Sequence, residues 1–201
     1  MIDEGYIKFE SRWQCTDTLT DPEIVELIRW RNLLFSAGLI GHYADINIGY
    51  GNISARVDTR NEFIISGTQT GHLSEVSNLH FARVTEFDIE RNRVFSEGAT
   101  EASSESMTHA ALYQLDPGIR AVVHIHSDAM WLGLKDQAPT TNGDVAYGTP
   151  EMAAEFGRLF RETDFSTTGI AVMAGHGGGL ISTGASVQEA AEKFLSRLDG
   201  F

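Results

Sequence analysis

The sequence contains little cysteine and little positive charge. A single cysteine, Cys15, in 201 residues excludes a framework of internal disulfides. Fifteen lysine and arginine residues against 28 acidic residues give a formal net charge of −13. Nucleic acid and anionic membranes are therefore excluded as main partners, because both need a cationic surface. A phosphorylated substrate would have to be held by local donors against an unfavourable overall field.

Proline and long apolar runs are scarce as well. No stretch approaches the roughly 20 apolar residues that span a bilayer, and residues 1–6 carry acid where a signal peptide carries base. We therefore expect a cytoplasmic protein. With 42% hydrophobic residues, 21% charged residues and four prolines, the composition is that of a globular chain and not of a disordered one.

No linker, repeat or low-complexity tract divides the chain. We expect residues 1–20 to form an N-terminal arm or edge strand, with apolar and polar residues alternating over 6–13, and residues 21–201 to form one domain. Predicted helices begin near residues 20–23, 103–104, 149–151 and 186, and predicted strands cover 63–65, 83–88, 93–95, 120–126, 169–173 and 180–182. Helices and strands interleave without a strict repeat, which predicts an α/β or α+β fold with a mixed or mainly antiparallel sheet.

The strongest local pattern is a pair of histidines on the predicted strand 120–126. Residues i and i+2 of a strand point to the same face, so the imidazoles of His124 and His126 converge while Ile125 turns away. Two neutral imidazoles at that separation supply half of a zinc site. Two hydrogen-bonded structural histidines would explain the pair equally well.

A third candidate ligand is His176, which precedes three glycines just after a predicted strand. Glycines leave room for close approach of a ligand, although a flexible turn with an incidental histidine is the simpler interpretation.

The segment Ser103, Ser104 and Glu105 lies at a predicted helix start. Free N–H groups and the helix dipole bind anions there, so the two serines predict a phosphate or carboxylate site. Glu105 is either a capping residue or a catalytic one, and most such sequences are only caps.

Two further polar turns, residues 49–54 and 66–68, are weak indications by themselves. His109 lies four residues after Glu105 and is expected to have a packing or surface role, with support of the site as the alternative. A structural role is favoured for the remaining histidines, and no local pattern activates Cys15. The remaining histidines are His42, His72 and His80.

Taken in order, these pieces resemble the class II aldolase/adducin family, which includes fuculose- and rhamnulose-phosphate aldolases and pentulose-phosphate 4-epimerases. The resemblance runs from about residue 21 to the end of the sequence. Its pieces are residues 51–56, 66–68, Gly71, Leu73, 103–105, His109, Leu112, Tyr113, 116–117, 122–126, 147–151, His176, Gly177, Glu189 and Ala190.

The resemblance implies αβα layers with a central, mainly antiparallel sheet flanked by helices, and a homotetramer with active sites at subunit interfaces. It implies that His124, His126 and His176 bind Zn²⁺, or alternatively Mn²⁺ or another divalent ion. Glu105 would be the catalytic acid/base and a resting-state metal ligand. The implied ligands of the substrate's phosphate and neighbouring oxygens are Gly51, Asn52, Ser66, Gly67, Ser103 and Ser104.

The implied activity is that of a zinc-dependent lyase. It would cleave a small phosphorylated ketose by a retro-aldol reaction through a metal-stabilised enediolate. Three alternatives use the same site: a sugar-phosphate epimerase, a dehydratase and a decarboxylase. A non-catalytic scaffold like the adducin head domain is a further alternative, and so is a hydrolase that uses zinc-bound hydroxide.

The sequence also departs from the family. Residues 128–146 form a shorter segment than in the sugar-phosphate aldolases, and no tyrosine lies between Tyr113 and Tyr147. The family's protonating tyrosine is therefore unassigned here. Since few residues follow the last predicted helix, we also expect no tail that closes over the substrate, and hence an open pocket or a different substrate.

Overall fold

The structure, a computed structural model, describes residues 5–57 and 61–200. Residues 1–4 of the predicted arm and the final residue of the predicted domain, Phe201, lie outside these ranges. The elements are β1 (Glu10–Cys15), α1 (Glu23–Ser36), β2 (Gly41–Tyr43), β3 (Ile48–Tyr50), β4 (Asn52–Arg56), β5 (Phe63–Ser66), β6 (Phe81–Asp88), β7 (Arg93–Gly98), α2 (Ser106–Leu115), β8 (Ala121–His126), α3 (Asp128–Leu134), α4 (Pro150–Glu162), α5 (Phe165–Thr168), β9 (Ile170–Val172), β10 (Gly179–Gly184) and α6 (Val187–Leu195). None of the helices in the described ranges has the length and apolarity needed to cross a bilayer.

Eight strands form one sheet in the order β1-β7-β6-β5-β4-β8-β10-β9, and β2 pairs with β3 in a separate small sheet. Neighbouring strands are antiparallel except β1 and β7, which are parallel. The prediction of a mainly antiparallel sheet flanked by helices is confirmed.

Helices cover both faces of this sheet. Helices α1, α3 and α6 share one hydrophobic cluster with the sheet, and α2, α4 and α5 share another. Strand β8 is buried along its whole length, so it contributes to both clusters. Val123 and Ile125 face the α1/α6 side, whereas Val122 faces the α2/α4 side. By the alternation of a strand, His124 and His126 also face the α2/α4 side.

The N-terminal edge strand lies further along the chain than predicted. Strand β1 pairs with β7 from Glu10 to Cys15, whereas alternation predicted residues 6–13. Residues 5–9 leave the edge because Phe9 is buried in the α2/α4 cluster and Ile7 packs against it. The apolar alternation of this segment therefore reflects packing over one face of the sheet.

The starts of α1 and α6 differ in their capping. Helix α1 begins after Pro22 without a side-chain cap, because the carboxylate of Asp21 pairs with Arg83. Helix α6 is capped by Ser186, whose hydroxyl accepts a hydrogen bond from the Glu189 N–H. The Glu189 carboxylate in turn accepts a hydrogen bond from the N–H of Ala185, one residue before the cap.

The predicted glycine-rich turn at 49–54 is largely a strand. Gly51 turns the chain with φ +76°, and β4 begins at the next residue, Asn52, beside β8. A Cβ at Gly51 would lie 2.8 Å from Cγ1 of Ile40 and 3.2 Å from the backbone oxygen of His124. Glycine thus permits both the positive φ and the close approach to the histidine strand.

Candidate metal centre and anion cavity

Three histidine side chains converge beside the end of β8. Nε2 of His126 lies 3.1 Å from Nε2 of His124 and 3.0 Å from Nε2 of His176. His176 belongs to the turn between β9 and β10, and it reaches β8 because Gly179 of β10 pairs with His126. All three side chains are buried. The structure therefore brings together the three histidines that the sequence singled out.

Hydrogen bonds at Nδ1 orient the rings of His124 and His126. Nδ1 of His124 donates to the backbone oxygen of Leu180 at 3.0 Å, which leaves Nε2 as a lone-pair donor. Nδ1 of His126 lies 3.1 Å from the hydroxyl of Tyr43, on β2. Ligating histidines in metal sites are held in the same way by a second partner on the other ring nitrogen.

The protonation states of the cluster suit a cation. Burial lowers the pKa of His124 to about 4 and the pKa values of His126 and His176 well below 6.5. The imidazoles are therefore neutral at pH 7, and three nitrogen atoms approach within 4.8 Å of one another. Neutral imidazoles are the form that binds zinc and other first-row divalent ions.

Glu105 completes the cluster from the start of α2. Its Oε1 lies 3.5 Å from Nε2 of His124 and 3.5 Å from Nε2 of His176. Both carboxylate oxygens are buried, and neither has a hydrogen-bond partner of normal geometry among the described residues. Two orphaned oxygens beside three imidazole nitrogens fit a divalent cation, because buried polar atoms otherwise need a partner.

In the absence of a metal ion, the environment of Glu105 favours the protonated form of its carboxyl group. Burial raises its pKa to about 8, and a weak interaction with the Thr108 side chain and the charge of Lys8 oppose this shift. The capping interpretation of Glu105 is wrong, since its side chain makes no cap hydrogen bond. Ser103 instead accepts a hydrogen bond from the Glu105 N–H at 3.3 Å.

A polar cavity adjoins the cluster on the side of β4. Five of the six residues expected to bind phosphate line it: Gly51, Asn52, Gly67, Ser103 and Ser104. The sixth, Ser66, does not line the cavity, and its hydroxyl accepts a hydrogen bond from the Ile53 N–H at 3.2 Å. The buried Oδ1 of Asn52 has no hydrogen-bond partner among the described residues.

Arg31 supports the wall of this cavity by hydrogen bonds to the backbone of the lining segment. This role of Arg31 was not identified from the sequence. Its buried guanidinium donates to the backbone oxygens of Thr70 at 2.8 Å, of Gly71 at 3.4 Å and of Leu73. In a trans peptide the N–H points opposite to the C=O, so these peptides turn their N–H groups away from Arg31. Burial lowers the pKa of Arg31 only to about 10, so the group stays charged at neutral pH. Arg31 lies four residues after Leu27, on the same buried face of α1. This helical spacing is the sequence signal that could have predicted its burial.

The sequence of this chain also matches a family. Residues 39–196 match the family model of the class II aldolase and adducin N-terminal domain, more than three quarters of the chain. The chain belongs to the class II aldolase/adducin family. Class II aldolases are metal-dependent enzymes, in keeping with a histidine cluster able to bind an ion.

A curated protein that is similar to part of this chain is named as a decarboxylase. A 3-oxo-tetronate 4-phosphate decarboxylase of Haemophilus influenzae is 34% identical over 79 residues, which is 39% of this chain and 34% of that protein. The match thus spans about a third of the relative's length.

Solved structures show the class II aldolase fold. An L-fuculose-1-phosphate aldolase from Thermus thermophilus has a TM-score of 0.63 at 20% identity, covering 88% of this chain and 89% of that chain. A sugar-phosphate aldolase from Thermotoga maritima has a TM-score of 0.66 at 16% identity, covering 89% of this chain and 90% of that chain.

The other histidines of this class II aldolase homologue lie outside the cluster. His109 is fully buried, with Nδ1 2.7 Å from the hydroxyl of Ser54, so a surface role is wrong. The exposed rings of His42 and His72 contact each other with centroids 6.3 Å apart. Nδ1 of His80 accepts a hydrogen bond from the Ser77 N–H. These contacts agree with structural roles.

The cluster predicts the pH dependence of stability of the metal-free protein. The histidine pKa values are lowered in the folded state, including that of His109. The unfolded chain then binds more protons between about pH 4 and 6.5, so stability rises with pH in that window. The pKa of Glu105 is raised from 4.5 to about 8, so its contribution falls as pH rises through that range.

We therefore expect the stability of the metal-free Glu105→Gln variant to rise between about pH 4 and 6.5, as in wild type. Above pH 6.5 its stability should not decline, because the titrating carboxyl group is absent. Between pH 5 and 8 its free energy of unfolding should increase relative to wild type by on the order of 2–4 kcal/mol, because one pKa unit is worth about 1.4 kcal/mol. Urea denaturation at several pH values, with chelator present, measures this difference. Parallel profiles for the two proteins would contradict the assignment.

Proposed function

We propose that the chain is a divalent-metal-dependent lyase that cleaves a carbon–carbon bond in a small, phosphorylated hydroxy-carbonyl compound. The observation that supports this proposal is the convergence of three neutral imidazoles and a buried carboxyl group beside a cavity of small polar residues. Retro-aldol cleavage of a ketose phosphate is the leading reaction, and Zn²⁺ is the leading ion.

Each group of residues has a distinct task in this proposal. His124, His126, His176 and Glu105 would hold the ion, which as a Lewis acid favours negative charge on substrate oxygens. The serine hydroxyls and backbone N–H groups of the cavity hold a phosphate with neutral donors, as glycine-rich loops and helix starts do. Glu105, whose Oε1 lies 3.5 Å from Nε2 of His124 and of His176, would move a proton to or from the reacting carbon.

Decarboxylation of a phosphorylated oxo-acid is the second candidate. The curated relative is named for this reaction on 3-oxo-tetronate 4-phosphate. Retro-aldol cleavage and loss of CO₂ from a 3-oxo acid both leave an electron pair on the carbon next to a carbonyl group. One site therefore suits both reactions, and the group that leaves is what distinguishes them.

The proposed partner is a small-molecule substrate, and the proposed assembly is the homotetramer of the family, with no nucleic acid or membrane partner. The net charge of −13 supports the last point. Sedimentation analysis of the metal-loaded protein tests the assembly.

The function is tested by incubating the metal-loaded protein with L-fuculose 1-phosphate and with 3-oxo-tetronate 4-phosphate. We expect aldehyde release from the first or CO₂ release from the second, with loss of the activity after chelation. The unphosphorylated counterparts are matched controls and should react poorly. A fully loaded protein that releases neither product from a wider panel of phosphorylated ketoses and oxo-acids would reject the lyase proposal, and ester hydrolysis would favour a hydrolase.

A further inference from the structure

Another cavity, of about 270 Å³, lies between the first turns of α1 and α6 and the neighbouring ends of β4 and β8. Its wall includes Glu23 of α1, Ala55 of β4, Arg120 just before β8 and Val187 of α6. We call it the α1/α6 cavity. Ligand pockets have volumes of roughly 300–1,000 Å³, so this cavity suits a molecule below the size of most ligands.

The α1/α6 cavity is separate from the candidate metal centre. Arg120 precedes the first residue of β8, whereas His126 is the last residue of that strand. A strand rises about 3.3 Å per residue, so the two residues lie about 20 Å apart along the chain. The cavity also takes its helical wall from α1 and α6, whereas the histidines face the α2/α4 side of the sheet. A molecule bound in this cavity would therefore not touch the metal ligands.

Arg120 brings a positive charge to the α1/α6 cavity that no acidic side chain neutralises. One Nη atom of Arg120 donates to the backbone oxygen of Arg56 at 3.2 Å, and Arg120 forms no ion pair with any described residue. Arg56 also lines the cavity, but its guanidinium donates to the backbone oxygens of Ile119 at 3.0 Å and of Asp116 at 3.3 Å. The guanidinium of Arg120 thus keeps donors that can bind a carboxylate.

Glu23 brings a negative charge to the same cavity that no basic side chain neutralises. Its Oε2 is buried, and its carboxylate has no hydrogen-bond or ion-pair partner among the described residues. A buried oxygen without a donor is unfavourable, so a ligand that supplies N–H groups would stabilise Glu23. Glu26, which also lines the cavity, already accepts a hydrogen bond from Nε1 of Trp30 at 3.0 Å and lies 3.7 Å from Arg29.

We propose that the α1/α6 cavity binds a free α-amino acid as its zwitterion, with the carboxylate of the ligand on Arg120 and its ammonium group on Glu23. Arg120 and Glu23 line one cavity without pairing with each other, so a small molecule that carries both charges gives each of them a partner. A ligand with a single charge would satisfy only one of the two side chains. Ala55 and Val187 are buried and supply an apolar wall for the side chain of the amino acid. This site does not depend on the proposed function.

L-Leucine and two derivatives that each lack one charge test this assignment. L-Leucinamide keeps the ammonium group and lacks the carboxylate, whereas N-acetyl-L-leucine keeps the carboxylate and lacks the ammonium group. Calorimetric titration of the zinc-loaded protein measures the three affinities. The variants are Arg120→Met, Arg120→Lys and Glu23→Gln. The matched controls, Arg91→Met and Glu90→Gln, make the same chemical changes at exposed residues in the β6–β7 turn.

We expect wild type and both controls to bind L-leucine about tenfold more tightly than either derivative, as a charge-assisted hydrogen bond provides. In Arg120→Met, L-leucine should bind no more tightly than L-leucinamide, and the affinity for L-leucinamide should stay at its wild-type value. In Glu23→Gln, L-leucine should bind no more tightly than N-acetyl-L-leucine. Arg120→Lys keeps the positive charge and should keep the preference for L-leucine. Zinc content and melting temperature show that each variant is loaded and folded.

Three results would overturn the assignment. A preference for L-leucine that survives in both Arg120→Met and Glu23→Gln would place the amino acid elsewhere, for example on the zinc ion, which amino and carboxylate groups can chelate. An equal loss for all three probes in either variant would assign the substituted residue to the fold and not to the ligand. No binding of L-leucine to folded wild type would reject the cavity as an amino-acid site. Each of these results leaves the proposed lyase function intact, because that function is measured by product release at the metal centre.

Discussion

The Glu105→Gln variant is expected to bind its metal and to lose turnover by a factor of about 10²–10⁴, the usual contribution of a general acid–base residue. The three imidazoles remain in the variant, so its metal content should stay at one ion per chain. A glutamine side chain has the size of glutamate but holds no transferable proton at this position.

Metal content by elemental analysis and kcat on the best substrate separate the two roles of Glu105. Glu90→Gln is a suitable control, because it makes the same chemical change at an exposed residue in the β6–β7 turn. A metal-loaded Glu105→Gln variant with wild-type kcat would show that another group moves the proton. Loss of activity together with loss of metal would instead assign Glu105 mainly to metal binding.

The local sequence predicts those parts of the site whose geometry follows from the regular repeat of a single strand or turn. His124 and His126 lie two residues apart on a strand, so their shared face follows from the pleat alone. The glycines after His176 predicted a turn with space beside it, and the structure has that turn between β9 and β10. Their meeting depends on the register of β10 against β8, which pairs Gly179 with His126.

Other residues of the site were not predictable, because their roles arise from contacts far apart in the chain. Tyr43 contacts His126 although the two residues are separated by 83 positions in the sequence. Lys8 reaches Tyr147 only because the arm packs over one face of the sheet. No local pattern marks either residue, since a tyrosine or a lysine in a polar segment is ordinarily exposed.

Polar turn residues were the least reliable basis for prediction. Ser66 and Gly67 are adjacent, yet only Gly67 lines the cavity, because strand alternation sends the Ser66 hydroxyl to the Ile53 N–H. The stretch 49–54 looked like a turn because of its two glycines. Only Gly51 turns the chain, and Asn52 already belongs to β4. Glycine marked the bend correctly, but it did not indicate how soon the next strand begins.

The His126→Ala variant is expected to contain less than about a tenth of an ion per chain, where wild type contains about one. His126 is the central ligand of the cluster, since its Nε2 lies within 3.1 Å of the Nε2 atoms of both other histidines. Its removal leaves two imidazoles and Glu105, and Glu105 binds an ion only after it loses the proton that burial favours, so we expect the affinity for the ion to fall. Elemental analysis of the purified proteins, after equilibration with equal zinc, measures the difference.

His80→Ala is the matched control, because Nδ1 of His80 accepts a hydrogen bond from the Ser77 N–H and the residue is not part of the cluster. It should contain as much metal as wild type. Full occupancy in His126→Ala would mean that the ion lies elsewhere in the chain. An absence of metal from wild type even in excess zinc would mean that three imidazole nitrogens within 4.8 Å are not a metal site. The non-catalytic, adducin-like scaffold would then be the better explanation of the chain, because in this family the loss of the metal removes the basis of the chemistry.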